Sequence, residues 1–251
     1  MKSPFERVHL LGIDVDCARL GEVLEVCDTA ISKGGKLSIG VVNAAKVVNM
    51  RENEELRRAV LSSDLVLADG MAVVWASRLL GRPLPERIAG IDLFERLMDR
   101  ANEKGWSVFL LGATASVLKK TAEVIAHTRP GLRIVGMRDG YFKEADTADV
   151  VRSIREANPQ LLFIAMSSPK KEVFLERWKD ELPANVFHGV GGSFDVIAGA
   201  TSRAPVLLRN AGLEWFYRLI QEPGRLWKRY LTTNTMFIVM VLKALLGREN
   251  R

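Results

Sequence analysis

Short apolar runs separated by longer stretches of helical period constrain this chain more than any other feature. The runs "VHLLGIDV", "KLSIGVV", "DLVLA", "WSVFLLGA", "LRIVGM", "QLLFIAM" and "NVFHGV" have strand composition. Between most of them lie segments such as "RLGEVLEVCDTAISKG", "KVVNMRENEELRRAVLSS", "IDLFERLMDRANEKG", "SVLKKTAEVIAHT" and "KEVFLERWKDEL", whose apolar residues recur at helical spacing. A strand that is apolar throughout is covered on both faces, and the intervening helices supply the cover. The expectation is an α/β fold: a mostly parallel, Rossmann-like sheet with helices on both faces, forming a single domain over residues 1–202. At 251 residues and 48% hydrophobic composition the chain can bury a sizeable core.

In such sheets ligands gather beyond the carboxyl ends of the strands. The residues that follow each run are therefore the candidate rim: Asn43, Asp69-Gly70, Gly112-Ala113-Thr114, Asp139-Gly140-Tyr141-Phe142, Ser167-Ser168-Pro169-Lys170-Lys171 and Gly189 to Asp195. Small, polar and glycine residues dominate it.

The last stretch, residues 203–251, breaks the pattern. It shows no strand alternation and reads as two or three helices broken at Pro223-Gly224. It carries nine Lys/Arg against three acids, a surplus of six that equals the whole chain's formal charge of +6, so the basicity belongs to this segment. Its cations alternate with Leu, Trp and Phe, which suits an interfacial helix better than a nucleic-acid-binding face. The run "MFIVMVLKALL" is interrupted by Lys243 and falls far short of the ~20 apolar residues of a membrane span. The first residues lack the apolar core of a signal peptide, so the expected location is the cytosol.

Several motifs leave two readings open. Asp14-Val15-Asp16 has the D-x-D spacing used to hold divalent metals, but Asp16 at the end of a strand is equally placed to cap the next helix. Cys17 and Cys27, ten apart on one expected helical segment, are too distant to bridge at ~1.5 Å rise per residue and read as reduced thiols. "HGVGGSFDVIAG" offers backbone amides for a phosphate, yet it fails the G-x-G-x-x-G spacing because Phe194 occupies the third position. A nicotinamide enzyme is demoted on that ground, and no Walker lysine pattern suggests an ATPase. "SSPKKE" brings Lys170 and Lys171 to a helix start, and Arg87, held in the stiff "RPLPER" loop, has the planar fork that clamps phosphate or carboxylate. Asp69 fits either a helix N-cap or a general base on the rim.

Taken together, "VVNAAKVV", "SSDLVLADGMAVVWASRLLG", "PLPERIAGIDLFERL", "VFLLGA", "DGYF", "SSPKKEVFLE", "GVGGSFDVIAG" and "RAPVLLRNAGLEWFYRLIQEPGRLWKRYL" occur in an order that resembles the WecG/TagA/CpsF glycosyltransferases, glycosyltransferase family 26. The resemblance covers nearly the whole chain. It implies a catalytic domain over 1–202 and a C-terminal helical appendage over 203–251 that binds the membrane and completes the site. It implies inverting, metal-independent transfer of a sugar from a UDP-sugar to a polyprenyl-diphosphate-linked sugar at the cytoplasmic membrane face, with no cofactor and no nucleic-acid partner. The donor could be an N-acetylmannosamine, its uronate or a hexose, and a homo-oligomer is allowed.

By motif position the resemblance makes Asp69 the base and Arg87 the residue that steadies the leaving diphosphate. Asn43, Gly112, Tyr141, Lys171, Gly191, Gly192, Phe194 and Asp195 would bind the donor, while Arg218, Arg225, Lys228 and Arg229 would meet the acceptor or the membrane. Two positions depart from the family pattern: Val41 stands where Thr is common, and Lys171 where "P-[KR]-Q-E" has Gln. A non-catalytic sugar-nucleotide-binding scaffold on the membrane is the alternative.

Overall fold

The computed structural model describes residues 3–247; the expectations placed on residues 248–251 and on the side chain of Arg225 lie outside the described residues. The first apolar run is not one strand but two, β1 (Arg7–Leu10) and β2 (Ile13–Asp16), paired antiparallel outside the main sheet. Leu11 (φ 52°) and Gly12 (φ 80°) both take positive φ, the conformation that a tight two-residue hairpin turn demands.

The hairpin also pairs off the carboxylates of the D-x-D motif. Asp14 and Asp16 face polar partners on the opposite strand, His9 Nδ1 at 2.8 Å and Arg7 at 3.0 Å. Asp16 is buried and caps no helix; its carboxylate also accepts the Ser3 hydroxyl and the Val66 amide, and so fastens the hairpin to the sheet. Nor do the cysteines share a helix: Cys17 follows β2, whereas Cys27 lies inside α1 (Leu20–Ser32). Burial pushes the Cys27 thiol up to about 12, which leaves it inert.

The main sheet contains β3 (Leu37–Val42), β4 (Leu65–Ala68), β5 (Ser107–Gly112), β6 (Arg133–Arg138), β7 (Leu161–Ala165) and β8 (Val186–Gly189), in the order β4-β3-β8-β7-β5-β6. Every neighbouring pair is parallel, so all six carboxyl ends lie along one edge. The fold is the expected α/β one.

Period-two alternation divides the apolar residues between the faces. Val108, Leu110 and Phe163 pack with α1, α5 (Gly90–Lys104) and α6 (Ala115–Thr128). Phe109, Leu111, Leu162 and Ile164 pack with α7 (Thr147–Ala157) and α8 (Lys170–Trp178) on the other. At the β4 side, Val42, Val66 and Ala68 meet α2 (Ala44–Glu52), α3 (Glu54–Leu61) and α4 (Met71–Leu79). The chain leaves β3 towards one edge of the sheet and β5 towards the other, so the connections part above the middle strands and open a crevice there.

After the short helix α9 (Ser193–Ile197) come α10 (Val206–Asn210), α11 (Glu214–Gln221) and α12 (Pro223–Leu245). Pro223 occupies the first turn of α12, where its missing N–H costs nothing. Phe237, Met240 and Val241 of α12 are buried with α2 and the hairpin, so the far half of this helix belongs to the core. Trp215, Phe216 and Ile220 of α11 and Trp227 and Leu231 of α12 remain exposed. Among the described residues, no helix is long and apolar enough to cross a membrane.

Candidate active site

The rim residues expected from sequence do follow the carboxyl ends of the six parallel strands, but they divide into two kinds. Around β4, β3, β8 and the start of α8, which follows β7, the polar groups are at least partly buried and held by specific bonds. After β5 and β6, and at the glycine turn after β8, the rim is mainly backbone.

Asp69 follows β4, and its own amide donates to the Val42 carbonyl, extending the ladder by one residue. Asp69 does not cap α4, whose N-cap is Gly70 with no side-chain hydrogen bond. Instead its Oδ1 accepts the Gly90 amide at 2.9 Å, one of the first-turn N–H groups that α5 cannot satisfy internally. That bond orients the carboxylate, with the positive end of the α5 dipole behind it. The "PERIAG" loop brings Gly90 there, because the Ile88 amide bonds the Ala68 carbonyl at the end of β4. Burial raises the Asp69 carboxyl above its ordinary value; the Gly90 amide, Arg218 and Lys46 oppose the rise, and Glu214 adds to it.

Beneath this carboxylate lies a charged cluster that sequence reasoning did not pick out. Glu172 Oε1 accepts from Lys46 Nζ at 2.8 Å and from Lys171 Nζ at 2.9 Å, with all three residues buried. Lys46 also donates to the Val41 carbonyl. Burial alone would raise the Glu172 carboxyl, but the two ammonium groups bring it down to about 2. Lys171, expected to reach a ligand, is drawn inward, its stem passing where a Cβ on Gly189 would meet it at 3.0 Å. Burial and Lys46 lower its pKa, while Glu172 and Asp69 raise it. His188, fully buried in β8, places Nε2 2.9 Å from the Gly90 carbonyl. A lysine in the small-residue run "NAAKVV" and a lone histidine in the apolar run "NVFHGV" were the available signals.

Asn43 lies beside Asp69, since a Cβ on Gly70 would meet Asn43 Cβ at 3.3 Å, and its side chain caps α2 by accepting the Lys46 amide. Arg87 is largely buried and held by Glu214 at 3.2 Å and Asp92 at 3.6 Å. It therefore joins α11 to the rim. Arg218 pairs with the same Glu214 one turn on, at 3.2 Å, and its charge reaches Asp69. Lys228 and Arg229 are exposed, Lys228 lying over the Trp227 ring.

On the other half, Gly112 ends β5 at φ +124°, where a Cβ would stand 2.4 Å from the Ala165 carbonyl oxygen. Gly140 lies against Gly112, whose Cα a Cβ at 140 would meet at 3.0 Å, and Tyr141 projects beyond them, 79% exposed. Gly191 takes φ +54° and Gly192 is the N-cap of α9, with Asp195 partly buried in its first turn. Phe194 corrects the sequence expectation: it points inward, 0% exposed, against Phe94 in the core, because it falls on the inner face of α9.

A parallel sheet with a partly buried, amide-anchored carboxylate and a set of cations at its carboxyl edge is a frame on which α/β enzymes place their sites. The sequence profile of the WecG/TagA/CpsF glycosyl transferase family matches residues 8–251, and the chain belongs to that family of glycosyltransferases. One relative, from Bacillus spizizenii (strain ATCC 23059 / NRRL B-14472 / W23), is 39% identical over 192 residues, spanning 76% of this chain and 73% of its own. Another, from Bacillus subtilis (strain 168), is 42% identical over 171 residues, 68% of this chain and 66% of its own. Both are named N-acetylglucosaminyldiphosphoundecaprenol N-acetyl-beta-D-mannosaminyltransferase.

Proposed function

We propose that this enzyme transfers an N-acetylmannosaminyl group from a UDP-sugar to a polyprenyl-diphosphate-linked sugar, with inversion and without a bound metal. The observation that carries the proposal is Asp69: a carboxylate whose proton affinity burial has raised, fixed by one amide on the ligand rim of a chain whose relatives are named for this transfer. Asp69 takes the proton of the acceptor hydroxyl as its oxygen attacks the anomeric carbon. The bond from that carbon to the diphosphate oxygen breaks in the same displacement, and UDP leaves with the electron pair.

The leaving diphosphate gathers negative charge, which fixed cations and amides offset. Arg87 serves here by exchanging Glu214 for the diphosphate, and Arg218 on the same helix joins it. Asn43, Gly112, Tyr141, Gly191, Gly192 and Asp195 line the donor side, with Lys171 acting from beneath through its charge. Metal independence is supported by Asp14 and Asp16, whose carboxylates are already engaged by His9 and Arg7 across the hairpin. Trp215, Phe216 and Ile220 on α11, with Lys228 and Arg229 on α12, suit the cytoplasmic membrane surface where a lipid-linked acceptor lies.

The test is UDP release from a panel of UDP-sugars, with and without a polyprenyl-diphosphate-linked N-acetylglucosamine and with chelator present. Acceptor-dependent release that survives chelation is the expected result. Binding of the UDP-sugar without turnover would favour the scaffold reading, and loss of turnover on chelation would restore a metal.

A further inference from the structure

Gly90 is tied at both of its backbone polar atoms. Its amide donates to Asp69 Oδ1 at 2.9 Å, and its carbonyl lies 2.9 Å from His188 Nε2. A glycine at the first position of a helix has no side chain to hold its orientation, and α5 leaves that first amide without an intrahelical partner. What sets the amide against the carboxylate is therefore the hold on Gly90 from outside the helix. The Ile88–Ala68 bond brings the loop there, and the imidazole adds the hold on Gly90 itself from β8, a central strand, packing beside Gly90, whose Cβ would come within 3.8 Å of the ring.

The cost of this histidine marks it out. The ring is fully buried, and Nδ1 lies towards the Ile39 backbone of β3 without completing a hydrogen bond. An apolar residue would fill the same space with no unpartnered atom, so stability alone does not call for imidazole. Burial, with Lys46 and Lys171 nearby, lowers its pKa to about 4, so near neutral pH it is uncharged and carries one N–H to give.

We propose that His188 is a positioning residue: by donating Nε2–H to the Gly90 carbonyl it fixes the start of α5 and holds the Gly90 amide on Asp69 in the geometry that base catalysis needs. The inference rests on Asp69 being the base. The chain of contacts runs from a rigid strand through one residue to the reacting carboxylate. A charge-assisted amide bond favours the ionised form of Asp69, so loosening it raises the proton affinity of Asp69 further and misaims it. The other charges facing Asp69, namely Lys46 on α2, Lys171 on α8 and Glu214 and Arg218 on α11, are unchanged when His188 is replaced.

The test uses the full-length enzyme with His188→Leu, which removes the donor, and His188→Gln, which can keep one. His188→Leu is expected to lower kcat roughly ten- to a hundredfold, as small misplacements of a catalytic group do. KM for the donor should change little, the acid limb of the kcat–pH profile should move to higher pH, and the carbon-13 carboxyl resonance of Asp69 should titrate at higher pH in step. His188→Gln is expected to recover most of kcat and the original limb. A folded His188→Leu protein whose acid limb and Asp69 titration do not move overturns the proposal.

A measurement on the unsubstituted enzyme tests it where variants fail to fold: nitrogen-15 shifts of His188 must show the proton on Nε2. A proton on Nδ1, donated to Ile39 instead, would sink the idea. Asp69→Asn separates the two claims. If it keeps full turnover, the base reading fails even where the Asp69 titration still follows His188. If it is inactive while the titration ignores His188, the base stands and the positioning role falls.

Discussion

The two halves of the rim hold their polar groups by opposite means. Around β4, β3, β8 and the start of α8, Asp69, Lys46, Lys171, Glu172 and His188 are at least partly withdrawn from water and each makes a specific bond. After β5 and β6 the surface is made by closely approaching backbones: a Cβ at 112 would stand 2.4 Å from the Ala165 carbonyl oxygen and one at 140 would stand 3.0 Å from Gly112 Cα, with Tyr141 exposed above them. Charges buried in a low-dielectric site act strongly and need no reorganisation during reaction, whereas an open backbone surface suits a ligand that must arrive and leave. On the proposed function, the first half is the place for chemistry and the second for holding the nucleotide. Substitutions that separate rate, stability and binding can break that division.

The largest effect belongs to Asp69→Asn. A positioned base contributes roughly 10²- to 10⁴-fold, so kcat should fall by that order. The asparagine oxygen can still accept the Gly90 amide, and burying an amide avoids the cost that raised the pKa of the carboxylate. Melting temperature at pH 7 should therefore hold or rise while activity disappears. A matching fall in melting temperature would mean that Asp69 serves the fold rather than the reaction.

Glu172→Gln probes the same half for stability. It leaves two buried ammonium groups facing one neutral amide, and removing one partner of a buried ion pair costs about 3–5 kcal/mol. The pH dependence follows from the depressed carboxyl. A fall from 4.5 to about 2 corresponds to about 3 kcal/mol, present above pH 4.5 and lost as pH falls towards 2. Denaturant unfolding between pH 7 and pH 3 should show the larger part of this loss, about 2 kcal/mol, in the unsubstituted enzyme and much less of it in the variant.

Legibility from sequence follows the same divide. Strand–helix alternation is a local signal, and it was enough to give the parallel sheet and the side of it on which Asp69, Asn43 and Gly112 stand. The hairpin was missed because its turn carries only one glycine, Leu11 adopting positive φ beside it. Phe194 was read as part of the rim because glycines surround it, although α9 turns it inward. The partners of Asp69 are tertiary: Gly90 is 21 residues away and Glu172 is 126 residues from Lys46, separations at which no spacing rule operates. Arg87 could be placed in its stiff loop, but its engagement by Glu214 depends on α11 folding back.

On the backbone half, Gly112→Ala asks whether the close approach is obligatory. The new Cβ would sit at φ +124° and 2.4 Å from the Ala165 carbonyl, so β5 and β7 must separate or strain. A residue forced into such a conformation costs on the order of 1–3 kcal/mol. The expected result is that loss in unfolding free energy with a raised KM for the donor, because the loops after both strands move with it. Unchanged donor affinity in a destabilised protein would show that the glycine serves sheet packing alone.

Tyr141→Ala gives the smallest effect and the cleanest discrimination. Tyr141 is 79% exposed and its backbone amide donates to Asp139 Oδ1, a bond that truncation of the side chain keeps, so stability should stay within about 0.5 kcal/mol. An exposed aromatic beside a backbone surface offers a face on which a uracil can stack, worth on the order of 1 kcal/mol. That corresponds to a rise of several-fold in KM for the UDP-sugar with kcat retained, the signature of binding lost equally from ground and transition states. Tyr141→Phe should restore KM, since stacking needs the ring and not the hydroxyl. If kcat falls instead and KM holds, Tyr141 acts on the reacting atoms, and the assignment of chemistry to one half of the rim and holding to the other is wrong.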